Sequence, residues 1–483
     1  MSLHNSLAAS LIILTLAAPA AWAEDLCHAY ERAVQSDPLL REAEANRLAA
    51  LEAKPQARAL LLPQANFTVS RTEQDQEGDQ VQLNFEDDSQ NPTLVPLTLS
   101  SDVSQSNYTL ELRQTLFRWD QWVALRQADS SVAQAEANYR AAQQDLMTRI
   151  AQRYFDVLAA SDTLESEEVA KESIARQLEQ AEKRFEVGLI AVTDVQEAQA
   201  AYDQAVAAQI GASRTLATAR ELLREITGEY FTDLAAPAED MPFEPPTPSS
   251  EEEWVAIAMD QNLNLISSRL GADVAREQIK LQRAQHYPTL DLVASRNEFT
   301  SEGDRFFGTR FQESQLIPED QDFTTDTISL QFSFPIFSGG LTSSRVREAV
   351  YRHRAAKEQL ERVARETERL TRDSYLGVLS GISRVQALEQ AVKSSRTALE
   401  ATEAGFEVGT RTTVDVLIAR RNLLAAQTSY ARSRYDYVLN RVQLKQAAGT
   451  LTAEDICTLQ LEEGETTQIG QEQPSSDAEH SDS

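Results

Sequence analysis

Two periodicities divide the chain. From near Asp120, Leu125, Val132, Tyr139 and Leu146 recur at every seventh position, and Ala128, Ala135 and Ala142 follow three residues after each of the first three. This is a coiled-coil seam with a small residue at one of its two core positions. It predicts one very long helix that shifts register around Ile150 and ends near Val187. Val195, Tyr202, Gln209, Leu216 and Leu223 form a second heptad series, shadowed by Ala198, Ala205, Ala212, Ala219 and Ile226 and closed by Gly228. The other periodicity is two. Ala65, Phe67 and Val69 alternate with polar neighbours, and Tyr108, Leu110 and Leu112 oppose Thr109, Glu111 and Arg113, so both segments are predicted strands. Before them, residues from Leu26 to about Leu61 read as helix, interrupted or restarted at Asp37-Pro38 and stopped by Pro63. Residues 71–103 are acidic and are expected to form a long exposed loop, with Val81, Leu83 and Phe85 prolonging a hairpin at most.

The pattern then starts again. Pro237, Pro242, Pro245, Pro246 and Pro248 mark a linker over residues 230–250. A helix is predicted from about Glu251 to Gln285, a strand at Leu290, Leu292 and Ala294, a polar loop over about 300–326, and a strand at Ile328, Leu330, Phe332 and Phe334. Gly339-Gly340 leads into a long helix with Ala349, Ala356, Val363 and Leu370 in heptads. Val416, Leu423, Tyr430, Tyr437 and Leu444 give the last series before Gly449. Pro288 follows Pro63 by 225 residues, Phe337 follows Phe117 by 220, and Gly449 follows Gly228 by 221. These offsets predict a two-fold internal repeat, with copies at 24–229 and 251–449. The helices keep their length while the strand loops absorb the change. Residues 450–483 are expected to be a C-terminal segment ending in an acidic, disordered tail.

Between the helices of each repeat lies the same turn. Phe185-Glu186-Val187-Gly188 leads to Thr193-Asp194-Val195, and 221 residues later Phe406-Glu407-Val408-Gly409 leads to Thr413-Val414-Asp415-Val416. A glycine suits the left-handed residue that ends a helix, and Thr and Asp suit the start of the next. Thr193 and Gln196 have the spacing of a capping box. Each copy is therefore a predicted helix–turn–helix tip.

Composition narrows the function. The net charge of −30 and pI near 4.6 leave no basic face for nucleic acid. Leu7 to Ala18 is a short apolar run followed by Ala21-Trp22-Ala23, the pattern of a cleaved signal peptide over residues 1–23. No other stretch approaches a membrane-spanning helix. Cys27 and Cys457 are the two cysteines, and in an exported chain they admit either one disulfide joining the two ends or two free thiols. His28, His286 and His353 lack metal-ligand spacing, and nucleophile-elbow, P-loop and dinucleotide motifs are absent, so neither an enzyme nor a cofactor or metal site is expected.

The strands alternate as membrane-barrel strands do, yet four segments per chain are too few to close a barrel of about eight or more. An open sheet edge in lipid costs several kcal/mol per unpaired group, roughly, so several chains must share one barrel. Three chains would give twelve strands, although the number three does not follow from this reasoning. The long helices, at about 67 residues each, span about 100 Å.

The whole mature chain up to the tail resembles the TolC family of bacterial outer-membrane channels, and closely. The resemblance is carried by Phe185-Glu186-Val187-Gly188-Leu189 with Thr193-Asp194-Val195-Gln196, by Arg276-Glu277-Gln278-Ile279 leading to Pro288-Thr289-Leu290-Asp291-Leu292, and by Val408-Gly409-Thr410-Arg411-Thr412 with Val414-Asp415-Val416-Leu417. It implies an α+β membrane protein. Its homotrimer would form a 12-stranded antiparallel β-barrel, four strands per chain, in outer-membrane lipid, continued by a periplasmic α-helical coiled-coil barrel. It also implies docking, through a periplasmic adaptor (a membrane fusion protein), to an inner-membrane pump of RND, ABC or MFS type. The matching gate positions are Thr193, Asp194 and Arg411. The family's Tyr that bonds the matching Asp is Phe406 here, so that link is lost and the gate should lean on Arg411. Asp415 matches one pore-ring aspartate, and the second ring position is Ile418, which implies a weaker cation block. Glu111 and Arg113 are expected to line the barrel lumen. Trp119, Trp122 and Phe337 are expected either at the periplasmic aromatic belt or in ordinary packing.

The expected function is a passive outer-membrane exit duct for tripartite efflux of drugs and other small molecules and for type I secretion, opened at its tip on docking. The competing readings are a channel dedicated to type I protein secretion and a soluble periplasmic coiled-coil adaptor without a barrel.

Overall fold

A computed structural model of the chain describes residues 25–84, 93–238, 241–309, 312–318 and 320–458. The predicted signal peptide, Phe85 and the acidic tail lie outside the described residues. In chain order the elements are α1 (Leu26–Ser36), α2 (Pro38–Leu51), α3 (Ala53–Ala59), β1 (Gln64–Asn84), β2 (Thr93–Phe117), α4 (Trp119–Glu186), α5 (Val192–Thr227), α6 (Glu251–Gln261) and α7 (Leu263–Ala284). There follow β3 (Thr289–Thr309), β4 (Gln312–Pro318), β5 (Gln321–Ser333), α8 (Leu341–Glu407), α9 (Thr413–Ala448) and α10 (Ala453–Thr458). They fall into two compact units, one within residues 1–43, 139–263 and 365–483, the other within 44–138 and 264–364.

The second unit holds the sheet. β1 pairs with β2, β2 with β3, and β3 with both β4 and β5, all antiparallel. The β3–β5 register runs unchanged from Ser301↔Gln321 into Asp304↔Pro318 of β4, so β4 and β5 are one strand interrupted before Gln321. The result is a four-stranded sheet. Ala65, Phe67 and Val69 stand opposite Leu112, Leu110 and Tyr108, and Leu290, Leu292 and Ala294 opposite Phe332, Leu330 and Ile328. Along these stretches one face is thus largely apolar, interrupted on β3 by Arg296 and Glu298 opposite Leu110 and Tyr108, and within one chain it is bare: Ile328 is 80% exposed, Phe332 68% and Phe67 67%.

Two expected loops are strand instead. Residues 71–103 continue β1 to Asn84 and supply β2 from Thr93, and residues 300–326 continue β3 to Thr309 and supply β4 and the start of β5. The alternation was hidden because both faces are polar there. Glu73, Asp75, Glu77 and Asp79 share one face of β1, while Gln74 and Gln76 share the other, so no apolar period marks the strand.

The first unit is helical. Its core gathers Tyr154, Phe155, Leu146 and Ile150 of α4, Leu216, Leu223 and Ile226 of α5, and Tyr437, Val438 and Leu444 of α9. The predicted alanine seam of α5 is buried along its length at Ala198, Ala205, Ala212 and Ala219, since a small side chain lets the neighbouring helix approach. The Pro-rich linker is pinned to these helices. The Tyr154 hydroxyl donates to Ala235 O at 2.7 Å and the Tyr437 hydroxyl to Glu244 O at 2.9 Å.

The single helix expected from Glu251 to Gln285 is two, α6 and α7, broken at Asn262. Asn262 takes an extended backbone, and its Nδ2 donates to Ala447 O at 2.9 Å. Asp37 breaks α1 from α2 in the same way. Its carboxylate accepts from Leu40 N at 3.0 Å and pairs with Arg149 at 2.8 Å. Cys27 of α1 and Cys457 of α10 form a disulfide that ties the two ends of the chain together.

Candidate functional site

Each helical hairpin turns through a glycine. α4 ends with Gly188 at φ 74°, Gly188 N donating to Phe185 O and Leu189 N to Arg184 O. α8 ends with Gly409 at φ 79°, Gly409 N donating to Phe406 O and Thr410 N to Gly405 O. This paired set of bonds satisfies the last carbonyls of both helices, and the left-handed backbone it requires is nearly free for glycine alone.

The following helices start differently. At α9, Thr412 caps. Its hydroxyl accepts from Asp415 N at 3.2 Å, and Asp415 Oδ2 accepts from Thr412 N at 2.9 Å. The bond from the Thr412 backbone, joined by one from the Thr412 hydroxyl to the same Oδ2 at 3.0 Å, holds the Asp415 carboxyl below its ordinary range, with the nearby Arg411 charge adding to the effect. At α5 the cap is Ala191, which has no side-chain acceptor. Only the returning bond from Ala191 N to Asp194 Oδ2 is made, at 3.3 Å. The capping box expected at Thr193 and Gln196 is therefore displaced by two residues, and Thr193 lies inside the first turn of α5.

Phe406 and Arg411 are placed by their neighbours. The Arg184 guanidinium, from α4, lies 4.8 Å from the centre of the Phe406 ring. Gly405 lies against the stem of Arg411, close enough that an added Cβ would stand 2.8 Å from Arg411 Cγ. Within one chain, no hydrogen bond or ion pair among the described residues joins Arg411 to Thr193 or Asp194. Farther along, Arg421 of α9 donates to Gln204 of α5 at 2.8 Å, and Arg420 pairs with Glu403 of α8.

Between these four helices lies a groove of about 1080 Å³, lined by apolar side chains together with charged residues of both signs, Asp162, Glu403, Arg420 and Arg421 among them. The Tyr435 hydroxyl donates to Asp162 Oδ2 at 2.7 Å. Burial pushes the Asp162 carboxyl above the usual range and pushes the Tyr435 hydroxyl strongly upward.

On the sheet, Glu111 and Arg113 share the polar face, 3.8 Å apart, and Arg113 reaches Asp291 at 3.9 Å and Gln331 at 3.4 Å. Trp119, Trp122 and Phe337 are all exposed within one chain. Among the described residues no group of His, Cys, Asp or Glu converges to hold a metal ion, and no helix is long and apolar enough to cross a membrane.

The chain matches the family described as Outer membrane efflux protein over residues 29–229 and again over 254–450. The chain belongs to the outer membrane efflux protein family. This efflux protein is 37% identical over 437 residues to the Outer membrane protein TolC of Vibrio cholerae, covering 90% of this chain and 93% of that one. It is 28% identical over 438 residues to the Alkaline protease secretion protein AprF of Pseudomonas aeruginosa, covering 90% and 86%. Its fold is similar to the crystal structure of the outer membrane protein VceC of Vibrio cholerae. There the TM-score is 0.67 at 22% identity, over 88% of this chain and 96% of that one. It is an outer-membrane efflux channel protein, as the resemblance implied, and the reading as a soluble adaptor falls away.

Of the residues singled out in the sequence of this efflux protein, Phe406 lies in the last turn of α8 and Arg411 in the turn after it, and Asp415 follows in the first turn of α9. Thr193 and Asp194 lie at the start of α5. Arg184, Gly405 and the Arg421–Gln204 contact went unread. An Arg in a charged helix and a Gly beside an aromatic carry no periodic signal, and only the packing of the two hairpins identifies them.

Proposed function

We propose that three copies of this efflux protein, each built as two repeats, pool their sheets into one 12-stranded barrel that serves as a passive exit duct. The observation that carries the reading is the sheet of one chain, bare and largely apolar over the helix-proximal part of one face and, among the described residues, open at both edges. β1 and β5 each present an unpaired row of backbone groups, which lipid does not satisfy. Head-to-tail pairing of β1 with a neighbour's β5 removes every edge when the ring closes. Eight strands leave an interior that side chains fill, whereas twelve leave a channel. Glu111 and Arg113 then line the lumen.

The two tips form the periplasmic entrance. Arg411, unpaired to the first tip within its own chain, reaches Thr193 or Asp194 of a neighbouring copy and holds the entrance closed. Asp415, kept ionised by its cap, contributes one ring of negative charge, and Ile418 leaves a second ring absent, so cations are attracted but weakly held. A periplasmic adaptor and an inner-membrane pump open the tip and supply small molecules for export. Protein secretion as the sole task is disfavoured by the lower identity to AprF than to TolC.

Planar-bilayer recording tests this reading. The wild type should conduct poorly. Arg411→Ser should raise single-channel conductance severalfold, and Asp415→Ala should weaken block by multivalent cations. An Arg411→Ser trace indistinguishable from wild type would remove the gate assignment.

A further inference from the structure

Phe406 lacks the hydroxyl that would bond an aspartate, yet its ring is not idle. The Arg184 guanidinium stands 4.8 Å from the ring centre, inside the distance at which the electron-rich face of an aromatic attracts a cation. Arg184 has no ion pair and no side-chain hydrogen bond among the described residues, although Glu182 and Glu186 flank it two positions away on either side. Both partners are half-buried, which limits hydration of the charge. The pair joins the last turn of α4 to the last turn of α8, the two ends that lead into the tips. The adjacent Gly405 makes room for the stem of Arg411, so two successive residues of α8 seat two arginines, one from each hairpin.

We infer that Arg184 and Phe406 form a latch that holds the α8–α9 hairpin against the α4–α5 hairpin and keeps the entrance shut, a charge-on-ring contact in place of a hydroxyl–carboxylate bond. The inference rests on the reading of the tips as a gate. At a partly exposed site such a contact shifts an equilibrium by about two- to fivefold. Three symmetric copies acting together multiply this to about ten- to a hundredfold, enough to set whether the resting duct leaks.

The test uses the full-length trimer in planar bilayers, with Arg184→Gln, Phe406→Leu, the double variant, and the conservative Arg184→Lys and Phe406→Trp. Each of the first two should raise conductance or open probability severalfold. The double variant should add little to the larger single effect, because both remove one contact. Lysine keeps a cation, and tryptophan keeps a ring without supplying a hydroxyl for an aspartate, so both should restore the quiet wild-type trace, a rescue that a merely structural role does not predict. Phe406→Leu stays apolar and of similar bulk, so it reports even where Arg184→Gln assembles poorly. Quiet single variants, or a double variant equal to the product of the singles, overturn the latch. If Arg411→Ser opens the channel while these variants do not, the latch fails and the gate reading stands. If all three stay closed, both fail.

Discussion

Asp162 shows how one side chain links burial to pH. Its carboxyl, on α4, accepts the Tyr435 hydroxyl of α9 and is pushed upward by burial, with Glu165 adding to the effect and the Tyr435 bond and Arg434 opposing it. A carboxyl whose folded pKa lies above its unfolded value favours the folded state while protonated. That contribution is present below about pH 4 and is lost as pH rises through the folded value, so near neutrality the ionised group is a net cost. Asp162→Asn keeps an acceptor for Tyr435 and removes the charge. Thermal unfolding at pH 7 should show a higher midpoint than wild type, with the difference narrowing as the pH approaches 4. A lower midpoint at pH 7 would mean that Arg434 holds the carboxylate more strongly than burial disfavours it. No local pattern announces this pair: Asp162 and Tyr435 are 273 residues apart and become partners only where α4 and α9 pack.

At the scale of elements, the helix ends are where sequence and structure agree most closely, and where the sequence is also most incomplete. Gly188, Gly228, Gly409 and Gly449 all take positive φ, as their places after heptad series predict. What stands opposite each glycine is not legible in the chain. An added Cβ at Gly409 meets nothing within 4 Å, whereas at Gly449 it would stand 2.2 Å from Gln261 O, at the break between α6 and α7. Gly409→Ala should therefore cost only the left-handed backbone, about 1 kcal/mol. Gly449→Ala should cost several times more, because a main-chain carbonyl must move. Denaturation of the detergent-solubilised protein compares the two, and equal losses would show that the α6–α7 break yields easily. That break itself escaped the sequence because Asn262-Leu263 has no proline to mark it, unlike Asp37-Pro38. The outer halves of the strands escaped for a related reason. Period two is read from contrast between faces, and carboxylates alternating with glutamines supply little.

For the molecule as a whole, the heptads, the tips and the apolar strand faces were legible because each is a repeated local pattern. The Cys27–Cys457 bond, closing the chain over 430 residues, was legible only as an option. A cross-link over so long a loop restrains the unfolded chain and stabilises by roughly 2–4 kcal/mol, more at the longest spans in the entropic account. The two faces of β5 offer the sharpest check on the shared barrel. Ile328 lies on the bare apolar face and Ser329, its neighbour, on the polar one. If the apolar face meets hydrocarbon, Ile328→Arg places a charge in lipid at a cost of about 2–4 kcal/mol per chain, felt three times in one trimer. Assembly in the outer membrane, read as the unheated trimer band that collapses to monomer on boiling, should fall sharply. Ser329→Arg should leave that band intact and shift ion selectivity toward anions, since on the proposed barrel its side chain would enter water in the lumen. Two neighbouring residues then separate lipid from lumen with the backbone held constant. Equal tolerance of arginine at both positions would mean that this sheet never meets a bilayer, and the twelve-stranded barrel would have to be abandoned.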